Sequence, residues 1–344
     1  MTEQDLEHIL AHTKDLWSGL RGQRIFITGG TGLLGRWLLD SFVYANRKLD
    51  LKAGITVLSR DPEAFLRLAP AFGSEPAVNF HKGDVRSFTF PEKEHSFVIH
   101  GAAPVSAGPE DPQALFDTIV RGTDRTLEFA ARTGCRKFLF ISSGAVYGKQ
   151  PPEMERIPEA YAGGPDPMEP GSAYGEGKRA AELLCSIYHK RQPGLETKIA
   201  RCFALVGPHF PERTHLAIGN FMRDAGKGGP ILVKGDGTAL RSYLYAADLA
   251  VWLWTILFRA RPCRPYNVGS GEPVSILETA KAVASLSAPP LPVTVAQAPA
   301  GGAPQRYVPD VSRAELELGL VPRIGLSDAI SRTMSFEKGA KLWK

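Results

Sequence analysis

The sequence predicts a doubly wound α/β fold, a parallel sheet with helices on both faces, followed by a smaller mixed α/β portion. Three observations predict it. Short β-branched runs alternate with helical segments from Arg24 to Phe203. A glycine-rich turn joins the first of these runs to the first long helix after it. Beyond Gly207-Pro208 the alternation loosens. Right-handed crossovers turn such a βαβ series into a doubly wound sheet.

The elements follow in order. Residues 3–20 carry Leu6, Ile9, Leu10, Leu16, Trp17 and Leu20 on one side, which predicts an amphipathic helix. His8 and His12 lie there at i,i+4 with no H-E-x-x-H pattern, so they read as partly solvated helix histidines. Arg24–Thr28 predicts the first strand and Leu34–Ala45 a helix. Ile55–Leu58, Val78–Gly83, Phe97–His100, Lys137–Ile141 and Lys198–Phe203 predict further strands. The proline-rich stretch 149–171 reads as a loop, not a domain linker, because the alternation resumes after it.

Composition sets the outer bounds. A chain of 344 residues corresponds to about two domains at roughly 150 residues each. With 43% hydrophobic and 22% charged residues it is globular, and wholesale disorder is excluded. The net charge of +5 suits anionic ligands. No Lys/Arg run marks a nucleic-acid partner. Four scattered cysteines without C-x-x-C read as buried residues in a reducing compartment, and no metal site is expected. The N-terminus lacks a secretory pattern. The most apolar stretch, Leu249–Phe258, is half the roughly 20 residues a bilayer needs. A cytoplasmic protein without a membrane partner is expected.

Chemistry begins at Thr28-Gly29-Gly30-Thr31-Gly32-Leu33-Leu34-Gly35. Gly29 permits a tight turn, Gly32 lets backbone approach a pyrophosphate, and Gly35 lets the helix pack on the sheet. The helix N-terminus offers free N–H groups and a positive dipole end. This is a dinucleotide cradle of the Rossmann type. The second strand should end beside the adenosine ribose, where an acidic residue would bind the diol of NAD. Here that position is Ser59, followed by Arg60, a pair suited to a 2′-phosphate; NADP is weakly favoured over NAD. Arg36 adds charge nearby, while Asp61, if it reaches the ribose, favours NAD. Asp84, in Gly83-Asp84-Val85, is placed either to accept from the adenine amino group or to cap the next turn.

A second constellation follows. Ser142 and Ser143 end an apolar strand, and about thirty residues later Tyr174 and Lys178 lie at i,i+4 on one helix face. An ammonium together with an oxidised nicotinamide favours phenolate, which makes a tyrosine an acid/base near neutral pH. Lys178 can also hold the nicotinamide ribose, and Ser143 can orient a substrate oxygen.

With these residues in hand, the sequence resembles the extended short-chain dehydrogenase/reductases, which include nucleotide-sugar epimerases, dehydratases and decarboxylases. The resemblance covers about residues 23–335 and rests on TGGTGLLG (28–35), GDV (83–85), HGAA (100–103), SSGAVYG (142–148), YGEGK (174–178), RSYLYAADLA (241–250), YNVGSG (266–271) and PDVSRAELELG (309–319). It implies Tyr174 as acid/base, Lys178 as cofactor anchor and Ser143 as hydroxyl partner. Implied cofactor contacts are Gly29, Thr31, Gly32, Leu33, Leu34, Gly35, Ser59, Arg60, Asp84, Val85, Ala102, Ala103, Tyr174 and Lys178. Ser143, Asn220, Arg241 and Arg306 are the implied substrate contacts, the arginines because their fork binds phosphate bidentately. The implied domains are an N-terminal extension (1–22), a dinucleotide-binding domain (23–207, with 240–262 returning to it) and a nucleotide-sugar-binding domain (208–239 and 263–344). A homodimer through helices within 112–132 and 174–191 is also implied.

The departures from the pattern carry information. The resemblance implies Asp-Glu after the serine in dehydratases and a Glu in decarboxylases; here Gly144 and Ala145 move no protons. Ile119, Ala204 and Val206 stand where many members have Asn, Asn and Tyr. The expected function is an NAD(P)-dependent nucleotide-sugar epimerase acting through a transient 4-keto sugar. An NADPH-dependent 4-keto-sugar reductase is the alternative. A 4,6-dehydratase or decarboxylase ranks below these, and a non-catalytic dinucleotide sensor last.

Overall fold

The computed structural model describes residues 1–103, 111–210, 216–299 and 301–339. Its centre is a seven-stranded sheet, all parallel. The strands are β1 (Arg24–Thr28), β2 (Gly54–Ser59), β3 (Val78–Lys82), β4 (Phe97–His100), β5 (Lys137–Ser143), β6 (Glu196–Cys202) and an edge strand (Pro265–Val268) that is eleventh in the chain. From the edge strand the order runs through β6, β5, β4, β1 and β2 to β3. The chain therefore reverses direction between β1 and β4, the switch point at which a doubly wound sheet opens a crevice.

Alternation in the strands builds three layers. Ile25, Ile27, Phe97, Ile99, Leu139 and Ile141 point into one core. Phe26, Val98, Phe138 and Phe140 point into the other. The first core is covered by α1 (Glu3–Thr13), α2 (Leu33–Lys48) and a later helix, Ala246–Arg259. The second is covered by α4 (Pro112–Arg132) and α5 (Ala173–Arg191), while α3 (Pro62–Leu68), after β2, adds Phe65 to the first. The apolar stretch noted in the sequence belongs to that later helix, whose residues from Ala246 to Leu257 are all buried. Among the described residues no helix is long and apolar enough to cross a membrane.

Two expectations need correction. The helix expected over 3–20 ends at Thr13, and Trp17–Leu20 forms a separate 3₁₀ turn. Ser18 and Gly19 are weak helix formers, and the Thr13 hydroxyl turns back to donate to the Ile9 carbonyl while accepting from Trp17 Nε1. The strand Pro265–Val268, assigned by sequence to the smaller portion, completes the large sheet beside β6, so the larger unit extends past residue 262.

The smaller portion is built from short pieces. These are β7 (Leu205–Val206), α6 (Ala217–Gly226), β8 (Ile231–Val233), β9 (Leu240–Arg241) and β10 (Leu244–Tyr245), then α7 (Ala246–Arg259), β11 (Pro265–Val268), β12 (Val274–Ser275), α8 (Ile276–Ala284), β13 (Val293–Val295), β14 (Arg306–Tyr307), α9 (Ser312–Leu318) and α10 (Leu326–Gly339). Of these, α7 and β11 serve the large sheet. In a three-stranded sheet β9 lies between β12 and β14, with Tyr307 in register with Arg241. The proline-rich loop reaches this sheet: Ile157 N–H donates to Val308 O at 2.9 Å and Asp310 N–H to Ile157 O at 2.9 Å.

Candidate active site

The C-terminal ends of β1, β2, β3 and β4 carry the dinucleotide cradle. Its glycines are required by close backbone approach. A Cβ at Gly35 would lie 2.2 Å from the Gly29 carbonyl oxygen, and one at Gly29, where φ is +73°, would lie 2.6 Å from Gly101 backbone. Gly32 is different: only the Gly29 oxygen, at 3.4 Å, lies near its Cβ position. Gly32 is also the N-cap of α2 and brings no capping side chain, so the first-turn amides of Leu33 and Leu34 face the crevice without one. These features fit a pyrophosphate.

Beneath the cradle, His100 bridges two hydroxyls, Thr28 at 2.6 Å and Thr123 at 3.0 Å. Burial pushes its pKa down to about 3, so the ring is neutral. Thr28 also accepts from the Ala102 amide at 3.2 Å, which ties the Ala102-Ala103 turn to the end of β1.

At the ribose end, Ser59 is buried and its hydroxyl accepts from the Asp61 amide at 3.2 Å. Arg60 is exposed. Asp61, the residue that would favour NAD, instead caps α3 and accepts from Ala64 N at 2.9 Å. Asp84 is engaged by Arg86 through both guanidinium arms at 2.9 Å and by the Arg86 amide. Those hydrogen bonds hold its carboxyl below the usual range. Asp84 thus caps the turn after β3, and Val85 behind it is buried.

Ser143, Tyr174 and Lys178 meet at the end of β5. Ser143 and Ser142 point to opposite faces, as strand neighbours must. Ser142 donates to Glu182 at 2.6 Å, within an ion-paired network with Arg201. Ser143 faces Tyr174. Burial pushes the Tyr174 phenol up to about 12, and hydrogen bonding with Ser143 draws it back down in part. Lys178 is buried, donates to the Ile141 carbonyl at 2.7 Å, and stands 5.8 Å from the Tyr174 ring. Burial lowers its pKa to about 8. In the chain itself desolvation, not Lys178, decides the direction of the Tyr174 shift.

Of the implied substrate contacts, Ser143 belongs to this centre and Arg241 lies next to it. It is paired in register with Tyr307, which lies beside Ser143 and Tyr174. Arg306 does not join them. Adjacent strand residues alternate faces, so it points away from Tyr307, and its Nε is buried without a hydrogen-bond partner among the described residues. Asn220 sits on α6, accepts from Arg223 at 2.8 Å, and lines a separate cavity of about 360 Å³ with Lys234 and Thr294.

A family model described as the NAD dependent epimerase/dehydratase family matches residues 25–269. The chain belongs to that family. UDP-glucuronic acid decarboxylase 3 of Arabidopsis thaliana is 30% identical over 309 residues, 89% of this chain and 86% of that protein. The dTDP-glucose 4,6-dehydratase of Streptomyces antibioticus is 28% identical over 329 residues, 93% of each. The UDP-glucose 4-epimerase of Thermus thermophilus, solved in complex with NAD, matches with a TM-score of 0.74 and 26% identity, covering 92% of this chain and all of that one. The protein is an enzyme of the NAD-dependent epimerase/dehydratase family whose relatives act on nucleotide sugars.

For this family member the sequence reading missed Tyr307 and Phe203. Their rings pack at 4.6 Å. They fill the space over Gly144, where a Cβ would meet Tyr307 Oη at 2.6 Å and the Phe203 ring at 2.7 Å. The only sequence signal was the unusual Gly144 itself. Ile119, in place of an Asn, is buried against Gly177 of α5.

Proposed function

We propose that this enzyme is an NAD(P)-dependent nucleotide-sugar epimerase that works through a transient 4-keto sugar. One observation carries the reading. Ser143, Tyr174 and Lys178 converge at the end of β5, while the next two positions, Gly144 and Ala145, offer no proton-transfer group and position 144 has no room for one. Proton movement is then confined to the oxygen that Tyr174 addresses.

Bound in the cradle, the nicotinamide supplies reversible hydride acceptance. The chain's own residues do the rest. Tyr174 takes the proton of the C4 hydroxyl and returns it. Ser143 orients that oxygen. Lys178, fixed by the Ile141 carbonyl, keeps two further donors for the nicotinamide ribose. The Arg241 guanidinium supplies positive charge for the diphosphate.

The second reading, a one-way 4-keto-sugar reductase, is favoured by the ribose end. Ser59 with Arg60, and an Asp61 committed to capping α3, suit a 2′-phosphate and hence NADPH. We also propose a homodimer through α4 and α5, where Phe116 and Leu183 are exposed.

The test is incubation with UDP-glucose, UDP-glucuronic acid and dTDP-glucose, with NAD⁺ or NADP⁺, followed by mass spectrometry and NMR. An epimerase gives a product of unchanged mass with C4 inverted. A product lighter by carbon dioxide or water overturns the reading. In a parallel incubation with a nucleotide 4-keto sugar and NADPH, reduction without epimer formation selects the reductase.

A further inference from the structure

Two successive turns of α5 grip the end of β5. Lys178 Nζ donates to the Ile141 carbonyl at 2.7 Å. Glu182, four residues later on the same helix face, accepts from the Ser142 hydroxyl at 2.6 Å. Ile141 and Ser142 are neighbours in β5, so the two side-chain heads close on consecutive residues of one strand. Arg201 of β6 holds the same carboxylate from the far side, with Nη2 at 2.6 Å and Nε at 2.9 and 3.2 Å from its oxygens. Arg201 Nη1 continues to the Tyr147 hydroxyl at 2.9 Å, and Tyr147 donates to Asn267 Oδ1 at 2.7 Å. The Glu182 and Arg201 side chains are only 12% and 14% exposed.

Such a pair pays for its desolvation with its own attraction and adds little net stability, so its presence calls for another use. Lys178 supplies one. Its ammonium is buried, and the partner it donates to is a carbonyl, not a carboxylate. A cation so placed loses its charge readily unless a negative group stands close. Among the described residues the groups that face it are few. Tyr174, Glu182 and Cys185 share α5 with it, His100 comes from β4, the Phe140 ring of β5 lies 4.7 Å away, and Cys202 comes from β6. His100 is neutral. Burial pushes the Tyr174 phenol and the Cys202 thiol up to about 12 and the Cys185 thiol well above its ordinary value, so these are neutral too. Glu182 is the carboxylate that remains, one helix turn away.

We propose that Glu182 is a positioning residue of the dinucleotide site: clamped by Ser142 and Arg201, its carboxylate keeps Lys178 an ammonium on the Ile141 carbonyl, with two N–H groups left for the nicotinamide ribose. Arg201 and Ser142 fix where the negative charge stands, and Glu182 supplies it.

The inference rests on Lys178 being the cofactor anchor of the proposed function, so its test reads Lys178 itself. The full-length protein with isotope-labelled lysine Cε is titrated by NMR without dinucleotide, and the Lys178 signal is assigned with Lys178→Met. The wild-type midpoint is expected at about 8. Glu182→Gln keeps the shape and an acceptor for Ser142 but removes the charge; it should lower the midpoint by about one pH unit. Glu182→Asp keeps the charge and loses reach; it should stay near the wild-type value. If Glu182→Gln leaves Arg201 unpaired and the chain fails to fold, Glu182→Gln combined with Arg201→Gln carries the test, with a shift in the same direction. Calorimetry with NAD⁺ and NADP⁺ gives a second readout. Glu182→Gln should bind as wild type does at pH 6, where Lys178 is an ammonium in both, and several-fold more weakly at pH 8. A midpoint that is unchanged or raised in Glu182→Gln overturns the proposal, because a mere brace, once loosened, admits water and restores the ammonium. So does a Glu182→Asp that shifts as Glu182→Gln does, or an affinity loss equal at both pH values. Unaltered dinucleotide binding by Lys178→Met would instead remove Lys178 from the anchor role, a failure that the midpoints do not share.

Discussion

The two walls of the crevice are built by different kinds of contact. The dinucleotide wall is backbone: glycines at 29 and 35 whose Cβ positions fall within 2.6 Å of other main-chain atoms, and an α2 N-terminus without a side-chain cap. The facing wall is side chain: Tyr307 and Arg241 from a three-stranded sheet assembled across more than sixty residues of sequence, packed on Phe203. A backbone wall leaves a local mark in sequence, and its packing glycines 29 and 35 leave no room for a side chain. A side-chain wall leaves none and is free to change what the enzyme does.

The largest expected effect lies where the walls meet. Tyr174→Phe should lower kcat by roughly 10²–10⁴-fold on any substrate the wild type turns over, and calorimetry should find dinucleotide binding unchanged. Activity within a few-fold of wild type removes Tyr174 from its role.

Next come the glycines. Gly35→Ala puts a methyl 2.2 Å from the Gly29 oxygen, against backbone that cannot swing aside. It should cost about 1–3 kcal/mol of stability and at least roughly tenfold in dinucleotide affinity. Gly32→Ala has room in the protein itself. It should keep the melting temperature and lose affinity alone, because the methyl meets the pyrophosphate. Equal behaviour of the two variants in thermal unfolding and calorimetry breaks the distinction between packing glycine and ligand glycine.

The ribose end gives a smaller effect. Ser59→Asp should move preference toward NAD by roughly ten- to a hundredfold, the worth of a charged hydrogen bond gained or opposed. Titration of both cofactors into wild type and variant checks it. Wild-type protein that binds NAD more tightly than NADP would mean that Arg60 serves neither phosphate nor selectivity.

A further effect falls on stability against acid. His100 has a folded pKa near 3 and an unfolded value near 6.5, so below about pH 6.5 the unfolded chain binds the extra proton first. Its contribution is complete above that pH and is lost as pH falls toward 3. His95, lowered to about 4 by burial, acts in the same direction. His100→Gln should flatten the fall in stability between pH 6 and 4 without abolishing it, as read by denaturant unfolding at each pH. An unaltered slope contradicts a buried neutral His100.

These contrasts also explain what could be read in advance. Arg24–Thr28, the glycine turn and the Tyr174/Lys178 spacing were legible because each is set by neighbours within one turn or one strand. Ser143 could be preferred to Ser142, and strand alternation separates their side chains in the fold. Arg306 was the weaker match to the pattern, and the register of β14 on β9 pairs Tyr307, not Arg306, with Arg241. Tyr307 carried no local mark; its place is fixed by the proline-rich loop through Gln150 and Ile157. The membership of β11 in the large sheet likewise depends on tertiary contacts, not on pattern, whereas α1 ends for local reasons at Thr13.

The central claim is that chemistry is confined to C4 because nothing acidic stands at positions 144 and 145. Turnover of a nucleotide sugar in deuterium oxide tests it most directly. The account expects product whose C4 is inverted and whose carbon-bound hydrogens are all protium, since hydride never exchanges with solvent and no base reaches C5. Deuterium at C5 or C6, or a product lighter by water or carbon dioxide, would contradict it.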